Sequence, residues 1–292
     1  MGRGRPWLLT LFFLVGVTCI LVLLVGLAVQ WIGVKDGLGS GDRVAVLRLE
    51  GMVVDARFLL EALDRHGKDP RVKAMVLRVD TPGGAVAPTQ EIFRAVRAWN
   101  QRKKVVASLG SMATSGGYYA ACGAERIVAN PGTITGSIGV VVHLANLEGL
   151  LEKLGIKGEV VKSGEHKDMG SMYRPLTDPE RGLLQEVVDD VHDQFVQDVA
   201  RSRSLEVEKV RAVADGRLFS GRQAQKLGLV DELGGLQEAI QLAARLGGVK
   251  GEPVVVEEPK ERFSLLNLIL GGSRPGFFPG VDPASLTFLF HP

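Results

Sequence analysis

The sequence predicts an α/β fold with a largely parallel sheet, preceded by one N-terminal transmembrane helix. Two observations point to the sheet: short apolar runs alternate with amphipathic stretches after Gly41, and small-residue turns follow the ends of these runs. Such alternation is typical of a sheet covered by helices. A third observation, an uncharged apolar stretch at the N-terminus, predicts the transmembrane helix.

The composition sets limits on size and on partners. With 292 residues, the chain has room for one large domain or two small ones. Hydrophobic residues make up 46% and charged residues 23%, as in a globular protein with one membrane segment. The net charge is only +2 and no dense basic stripe occurs, so we expect no nucleic-acid partner. Cys19 and Cys122 lie far apart in different regions, so we expect no intramolecular disulfide.

The N-terminal stretch carries no charge from Pro6 to Val34. Residues 7–31 are long enough to cross a bilayer with some tilt, and Trp7 and Trp31 lie where an aromatic belt would place them. A cleavable signal peptide is the alternative, but no cleavage site with alanines around it is evident. We therefore predict an uncleaved signal anchor over residues 7–31.

Charge predicts the orientation of this anchor. Arg3 and Arg5 precede the span, and positive flanks stay in the cytoplasm. Residues 1–6 would then be cytoplasmic, and the chain beyond the linker at residues 32–42 would lie outside the cytoplasm in a single-pass membrane protein. The glycines of this linker do not form a nucleotide loop, because no strand precedes them and no helix follows.

The alternation after the linker gives individual elements. We predict strands at residues 44–49, 74–79 and 105–109, and helices at residues 56–65 and 91–99. The glycine pair Gly83-Gly84 and Ser115 both follow strand ends. Since ligands bind outside the carboxyl ends of parallel strands, one edge of the sheet could gather these residues.

The C-terminal half contains a long helix and a tail. Thr177 to Glu180 has the pattern of a capping box and opens a helix that runs to about Arg203. Its apolar stripe fits either packing on the sheet or a subunit contact, and consists of Leu184, Val188, Val191, Phe195 and Val199. Residues 251–292 combine prolines with apolar clusters, so we expect this tail to dock on a groove, a neighbouring subunit or the membrane.

Ser115 lies in the stretch that carries the chemistry. It follows small residues and the predicted strand at 105–109, and it precedes Gly116 and Gly117. This layout is typical of a nucleophile at a strand-to-helix turn, although Ala113 replaces the first glycine of the G-x-S-x-G pattern. Gly116 could offer its N–H to an oxyanion. The motif alone also fits a turn built for close packing.

A downstream segment and an upstream motif complete a pattern. Val160 to Asp168 contains Lys167, and Asp80 to Gly84 reads Asp-Thr-Pro-Gly-Gly. With the Ser115 stretch, these segments resemble the signal peptide peptidase A family of serine peptidases. The resemblance runs from about Val44 to Gly235. It implies a peptidase domain over residues 43–250, with the repeated β-β-α units of the Clp protease and crotonase fold.

The resemblance also implies the roles of the site residues. Ser115 would be the nucleophile and Lys167 the general base, with N–H groups of Gly83, Gly84 and Gly116 forming the oxyanion hole. A lysine acts as a base only when neutral, and burial can lower its pKa from about 10.4 toward 7–8. His166 is the alternative base, since Ser–His–Asp triads are commoner, but the resemblance favours its neighbour. We expect neither a metal nor a cofactor.

The family resemblance finally implies assembly and substrate. In double-length members the serine and the lysine come from different halves, whereas this chain resembles one half. We therefore expect a homo-oligomeric ring whose dyads form between neighbouring subunits, and hydrophobic peptides such as cleaved signal peptides as substrates. Thr81 and Thr114 depart from the family pattern without removing a catalytic group. The alternatives are a crotonase-like acyl-CoA enzyme and an inactive membrane scaffold.

Overall fold

A computed structural model describes residues 13–25, residues 41–258 and the backbone of residues 287–289. The chain divides into two units between Gly41 and Asp42. In the first unit, residues 13–25 are helical and their side chains are exposed. Within the described part of the chain, no helix has the length and apolarity needed to cross a bilayer. Both ends of the predicted anchor, residues 7–12 and 26–31, lie outside the described residues, so the anchor stays a prediction.

The second unit is built around an eight-stranded, mainly parallel sheet. Its strands are β1 (Arg43–Glu50), β2 (Val72–Thr81), β4 (Lys104–Thr114), β5 (Arg126–Ala129), β6 (Ile134–Gly136), β7 (Leu218–Ser220), β8 (Glu232–Leu233) and β9 (Val254–Glu257). The order along the main path is β7-β6-β4-β2-β1-β9, while β5 pairs with β4 and β8. Only β6 and β7 pair antiparallel among these strands. A separate pair joins β3 (Gly83–Ala85) to β10 (Thr287–Leu289).

Helices cover both faces of this sheet. The helices of this unit are α1 (Arg57–Lys68), α2 (Val86–Asn100), α3 (Gly116–Ala121), α4 (Glu148–Lys153), α5 (Asp178–Arg203), α6 (Val207–Arg211), α7 (Gly221–Lys226) and α8 (Leu236–Leu246). Alternate residues of β1 point to opposite faces of the sheet. Val44 and Val46 pack with α8 on one face. Ala45 and Leu47 belong to the larger hydrophobic cluster under α1, α2 and α3 on the other face. Burial on both faces explains why the central strands read as continuous apolar runs.

The predicted α/β class and parallel sheet are confirmed. Helix α5 also begins as predicted, because the Thr177 hydroxyl accepts the Glu180 N–H and the Glu180 carboxylate accepts the Thr177 N–H at 3.0 Å. The apolar run around Val160 does not form a strand. It is exposed, and in the described chain no strand pairs with it.

The apolar stripe of α5 divides between two environments. Phe195 and Val199 are fully buried in the core, and the Phe195 ring stacks on Tyr119 with ring centroids 4.4 Å apart. Leu184 and Val188, nearer the start of the helix, are only half-buried. The end of the stripe therefore packs on the domain itself, while its beginning extends away from that core.

Candidate active site

Ser115 occupies the turn between the end of β4 at Thr114 and the start of α3 at Gly116. Its φ of 53° and ψ of −118° are unusual for a residue with a side chain, and such strain typically amounts to about 1–3 kcal/mol. The surrounding backbone holds this conformation: the Ser115 N–H donates to the Gly136 carbonyl at 2.8 Å, and the Ser115 carbonyl accepts the Tyr119 N–H at 2.9 Å. The strand-to-helix turn predicted from the sequence is thus present.

The turn depends on close packing between α3 and the end of β2. A Cβ atom on Gly117 would lie 2.6 Å from the Thr81 methyl carbon, so a larger residue would push the helix away. The two tyrosines of α3 anchor it further, because the Tyr118 hydroxyl donates to the Leu229 carbonyl at 2.8 Å and the Tyr119 hydroxyl donates to Asp198. The position of Ser115 is therefore fixed from both sides.

The Ser115 side chain has the environment of a reactive group. The residue is 1% exposed, and its Oγ has no hydrogen-bond partner among the described residues. A buried hydroxyl left unpaired costs about 1–3 kcal/mol, so such a group calls for a functional reason. The nearby thiol of Cys122 is an unsuitable nucleophile, since burial raises its pKa to about 12.

The glycine pair forms β3, beside the short helix that follows Ser115. Val53 binds one edge of this strand: its N–H donates to the Gly83 carbonyl at 2.8 Å, and its carbonyl accepts the Ala85 N–H at 2.7 Å. Because successive residues of a strand direct their backbone groups to opposite edges, the polar groups of Gly84 face away from Val53. A Cβ atom on Gly84 would lie 2.1 Å from the Val53 carbonyl oxygen, so only glycine fits here.

The two glycines differ in what their N–H groups bind. The Gly83 N–H donates to the Thr81 hydroxyl at 3.0 Å, and that hydroxyl donates to the Gly51 carbonyl. Gly84 instead lies opposite Phe288 of β10, which runs antiparallel along the edge of β3 that faces away from Val53. The tail that the sequence predicts to dock therefore reaches the strand of the glycine pair through residues 287–289. Gly116, the first residue of α3, leaves its N–H without an intrahelical acceptor.

Lys167 lies in a different kind of structure. It is exposed in a turn in which its N–H donates to the Gly164 carbonyl at 3.2 Å. His166, the alternative base, is exposed in the same turn. Since Ser115 Oγ has no partner in the described chain, one copy of the protein does not join Ser115 to either residue by a hydrogen bond.

Ion pairs hold the turn that carries Lys167. Asp168 binds Lys162 at 2.7 Å and Arg174 at 2.8 Å, and Arg174 binds Glu180 of α5 at 2.6 Å. The Arg174 guanidinium lowers the pKa of Glu180 to about 2 and holds the pKa of Asp168 below its usual range. Lys167 thus lies between Lys162 and Asp168, two members of a charged cluster that ends at the start of α5.

The contacts that align the two strands leading into the site were not predicted from the sequence. Asp80 binds the Met112 N–H at 3.1 Å, and the Thr114 hydroxyl donates to the Pro82 carbonyl at 3.0 Å. Ser137, which follows the acceptor of the Ser115 N–H, is buried with a φ of 50°. Side chains that pair between distant segments leave no local pattern. The described residues contain no group of three side chains suited to a metal.

Comparisons with known proteins identify the family. The family model described as peptidase family S49 matches residues 97–250. A candidate protease of Synechocystis sp. is 42% identical over 241 residues, which cover 82% of each chain. The chloroplastic serine protease SPPA of Arabidopsis thaliana is 32% identical over 83% of this chain and 39% of its own length.

A further relative carries the family name found from the motifs. A candidate signal peptide peptidase SppA of Enterococcus faecium is 37% identical over 215 residues, which cover 69% of this chain and 62% of that protein. The matched segments include the Ser115 turn and the Lys167 segment within residues 97–250. The chain therefore belongs to peptidase family S49, the signal peptide peptidase A family, and is a serine peptidase.

Proposed function

We propose that this serine peptidase is a membrane-anchored endopeptidase in which Ser115 is the nucleophile and Lys167 of a neighbouring copy is the general base. The observation that carries the proposal is the state of Ser115. Its Oγ is buried, unpaired and held at a strained turn beside β3, while Lys167 of the same chain is exposed. The site thus has a nucleophile that still needs a base.

The proposed reaction is acyl transfer through a serine ester. Lys167 Nζ takes the proton from Ser115 Oγ as this oxygen bonds to the peptide carbonyl carbon. The C–N bond then breaks, and the leaving amine receives that proton from Lys167. Water attacks the ester in the same way, and Ser115 Oγ is released with its proton. No metal or cofactor enters these steps.

Two backbone N–H groups are suited to bind the oxyanion. Gly116 offers the N–H at the start of α3, and Gly84 offers the N–H that faces the edge of β3 opposite Val53, which becomes accessible when β10 leaves it. Gly83 is less suited, since its N–H already donates to Thr81. An extended substrate would add to the same edge of β3 as an antiparallel strand, which is how sheets commonly bind peptides.

A second copy is needed to turn Lys167 into a base. Residues 141–179 contain no buried residue, yet they carry exposed apolar side chains that include Leu150, Leu154, Val160 and Val161. A cluster of this kind indicates a protein interface. A neighbour that covers it would remove water from Lys167, disfavour the ammonium and lower its pKa toward neutrality. Repeated head-to-tail contacts of this type close into rings.

The substrates and the location follow from the family and the N-terminus. Hydrophobic peptides, such as signal peptides left after secretion, are the proposed substrates, and the peptidase domain would lie outside the cytoplasm. Protease added to intact spheroplasts should then digest the domain beyond Gly41; complete protection of the chain would contradict this orientation. The relatives compared above are named as proteases or peptidases, so no observation favours an acyl-CoA enzyme or an inactive scaffold.

Mixed assemblies test the shared dyad. Ser115→Ala and Lys167→Ala subunits, each inactive alone, are co-expressed with different tags, and complexes carrying both tags are assayed for peptide cleavage. Some sites in a mixed ring place a wild-type Ser115 beside a wild-type Lys167, so part of the activity should return.

The control mixes Ser115→Ala with tagged Ser115→Ala/Lys167→Ala subunits, in which no site regains both groups. Activity in the doubly tagged complexes no higher than in this control would show that the dyad lies within one chain. Undiminished cleavage by Ser115→Ala alone would reject Ser115 as the nucleophile.

A further inference from the structure

A bulge interrupts the pairing of β2 with β4 just before the active site. The two strands pair in register up to Val79 and Leu109, and the next pair is Thr81 with Ala113. Residues 110–112 of β4 therefore lie opposite the single residue Asp80 of β2. An insertion of this kind leaves backbone groups of the longer strand without ladder partners.

The Asp80 side chain fills the gap in the ladder. Its Oδ1 accepts the Met112 N–H at 3.1 Å. Its Oδ2 lies so near Gly110 that a Cβ atom on this glycine would be 2.6 Å away. The carbonyl of Gly110 in turn accepts the Thr133 hydroxyl at 2.7 Å. The bulge is thus held by one carboxylate on one side and by a threonine on the other.

Both strands lead directly from this contact into the catalytic groups. Gly83 comes three residues after Asp80, and Ser115 comes three residues after Met112. We infer that Asp80 is a positioning residue that fixes the offset between the nucleophile strand and the oxyanion strand. This inference rests on the proposed roles of Ser115 and β3. Asp80 acts through the backbone of Met112.

If Asp80 positions the two strands, its loss should change kcat much more than KM. A shift of about 1 Å between reacting groups can lower a rate about 100-fold. We expect Asp80→Ala to lower kcat on this scale with little change in KM, because the edge of β3 that binds peptide remains. Asp80→Asn keeps a carbonyl oxygen at the position of Oδ1 and should retain most of the activity.

The matched control is Ser108→Ala. The Ser108 hydroxyl accepts a hydrogen bond from Arg78 Nη1 at 2.9 Å, so this side chain links the same two strands before the bulge begins. This change should leave kcat within about twofold, as expected for a side chain away from the reacting groups. If Asp80→Ala does not fold, Asp80→Ser replaces it, because the serine hydroxyl is too short to reach the Met112 N–H.

Gly110→Ala tests the same contact from the other strand. The added methyl group would displace the Asp80 carboxylate, so kcat should fall as it does in Asp80→Ala. Since both changes remove one contact, the double variant should be no worse than Asp80→Ala alone. Losses that multiply instead would show that the two residues act independently and would overturn the inference.

Amide hydrogen exchange at Met112 provides a readout that does not depend on activity. Exchange should accelerate in Asp80→Ala and remain slow in Asp80→Asn and Ser108→Ala. Unchanged exchange in Asp80→Ala, a kcat equal to that of Ser108→Ala, or equal losses in Asp80→Asn and Asp80→Ala would each overturn the inference. Ser115→Ala is measured in the same series, so retained activity there would identify a failure of the proposed nucleophile instead.

Discussion

The two proposed halves of the dyad lie in opposite environments. Every residue from 113 to 124 is buried, and Ser115 is held there by β4, β6 and α3. From residue 141 to residue 179 no residue is buried, and ion pairs of Arg174 and Asp168 take the place of a core. A single chain therefore completes the environment of the proposed nucleophile and leaves that of the proposed base open.

This difference separates two ways of placing a catalytic group. Ser115 keeps its strained φ because the residues packed around it hold the backbone in that conformation. Lys167 would act as a base only as the neutral amine. Removal of water from around the side chain is what would favour this form near neutral pH. An exposed turn supplies this desolvation only when another surface covers it. The catalytic competence of Lys167 would then depend on assembly.

The largest expected effect tests which residue of the exposed turn is the base. We expect Lys167→Ala to lower kcat by about 10²–10⁴-fold, the usual contribution of a general base, and His166→Ala to retain most activity. The two residues are adjacent and both exposed, so His166→Ala is a matched control for disturbance of the turn. Peptide cleavage by purified assemblies measures both. An inactive His166→Ala beside an active Lys167→Ala would reject the Ser–Lys assignment.

The local structure around Ser115 was easier to predict from the sequence than the structure around Lys167. Ser115 follows a strand and precedes two glycines, a pattern that is visible in the sequence. The structure explains the second of these glycines, because a side chain on Gly117 would collide with Thr81. The capping box at Thr177 was equally local and is present. The docking of residues 287–289 on β3 and the Asp80–Met112 contact join distant segments, and no periodicity encodes such pairs.

Loss of the Arg174 ion pairs should loosen the Lys167 turn without loosening the Ser115 region. Arg174→Met removes the guanidinium that joins Asp168 to Glu180 and leaves a buried carboxylate without its partner. The turn that carries Lys167 should loosen, and we expect kcat to fall about 10- to 100-fold because the base is misplaced. Hydrogen exchange should rise in residues 162–174 and stay unchanged in residues 113–121. Arg181→Met, which changes an exposed arginine of α5 next to Glu180, is the control, and a similar kcat loss there would contradict the role of Arg174.

Acid should act on the same ion pairs with a smaller effect. The pKa of Glu180 is lowered to about 2 and that of Asp168 also lies below its usual range, so both carboxylates are more acidic in the folded chain. Their stabilisation is complete above the ordinary carboxyl pKa of about 4 and is lost as the pH falls toward 2. Exchange of residues 162–174 should therefore increase across this range before that of residues 113–121. Simultaneous opening of both regions would show that the ion pairs do not hold the turn.

The smallest expected effect concerns the edge of β3 beside Ser115. In the described chain β10 covers this edge, and a strand of three residues pairs only weakly, so it should open readily. A substrate that adds to the same edge must wait for the open state, and its apparent affinity is reduced by the fraction of molecules that are open. Deleting residues 287–292 should then lower KM roughly twofold to fivefold and leave kcat unchanged. Deleting only residues 290–292 retains the residues of β10 and should leave KM unchanged. An unaltered KM after the longer deletion would mean that peptides bind elsewhere or that β10 is open most of the time.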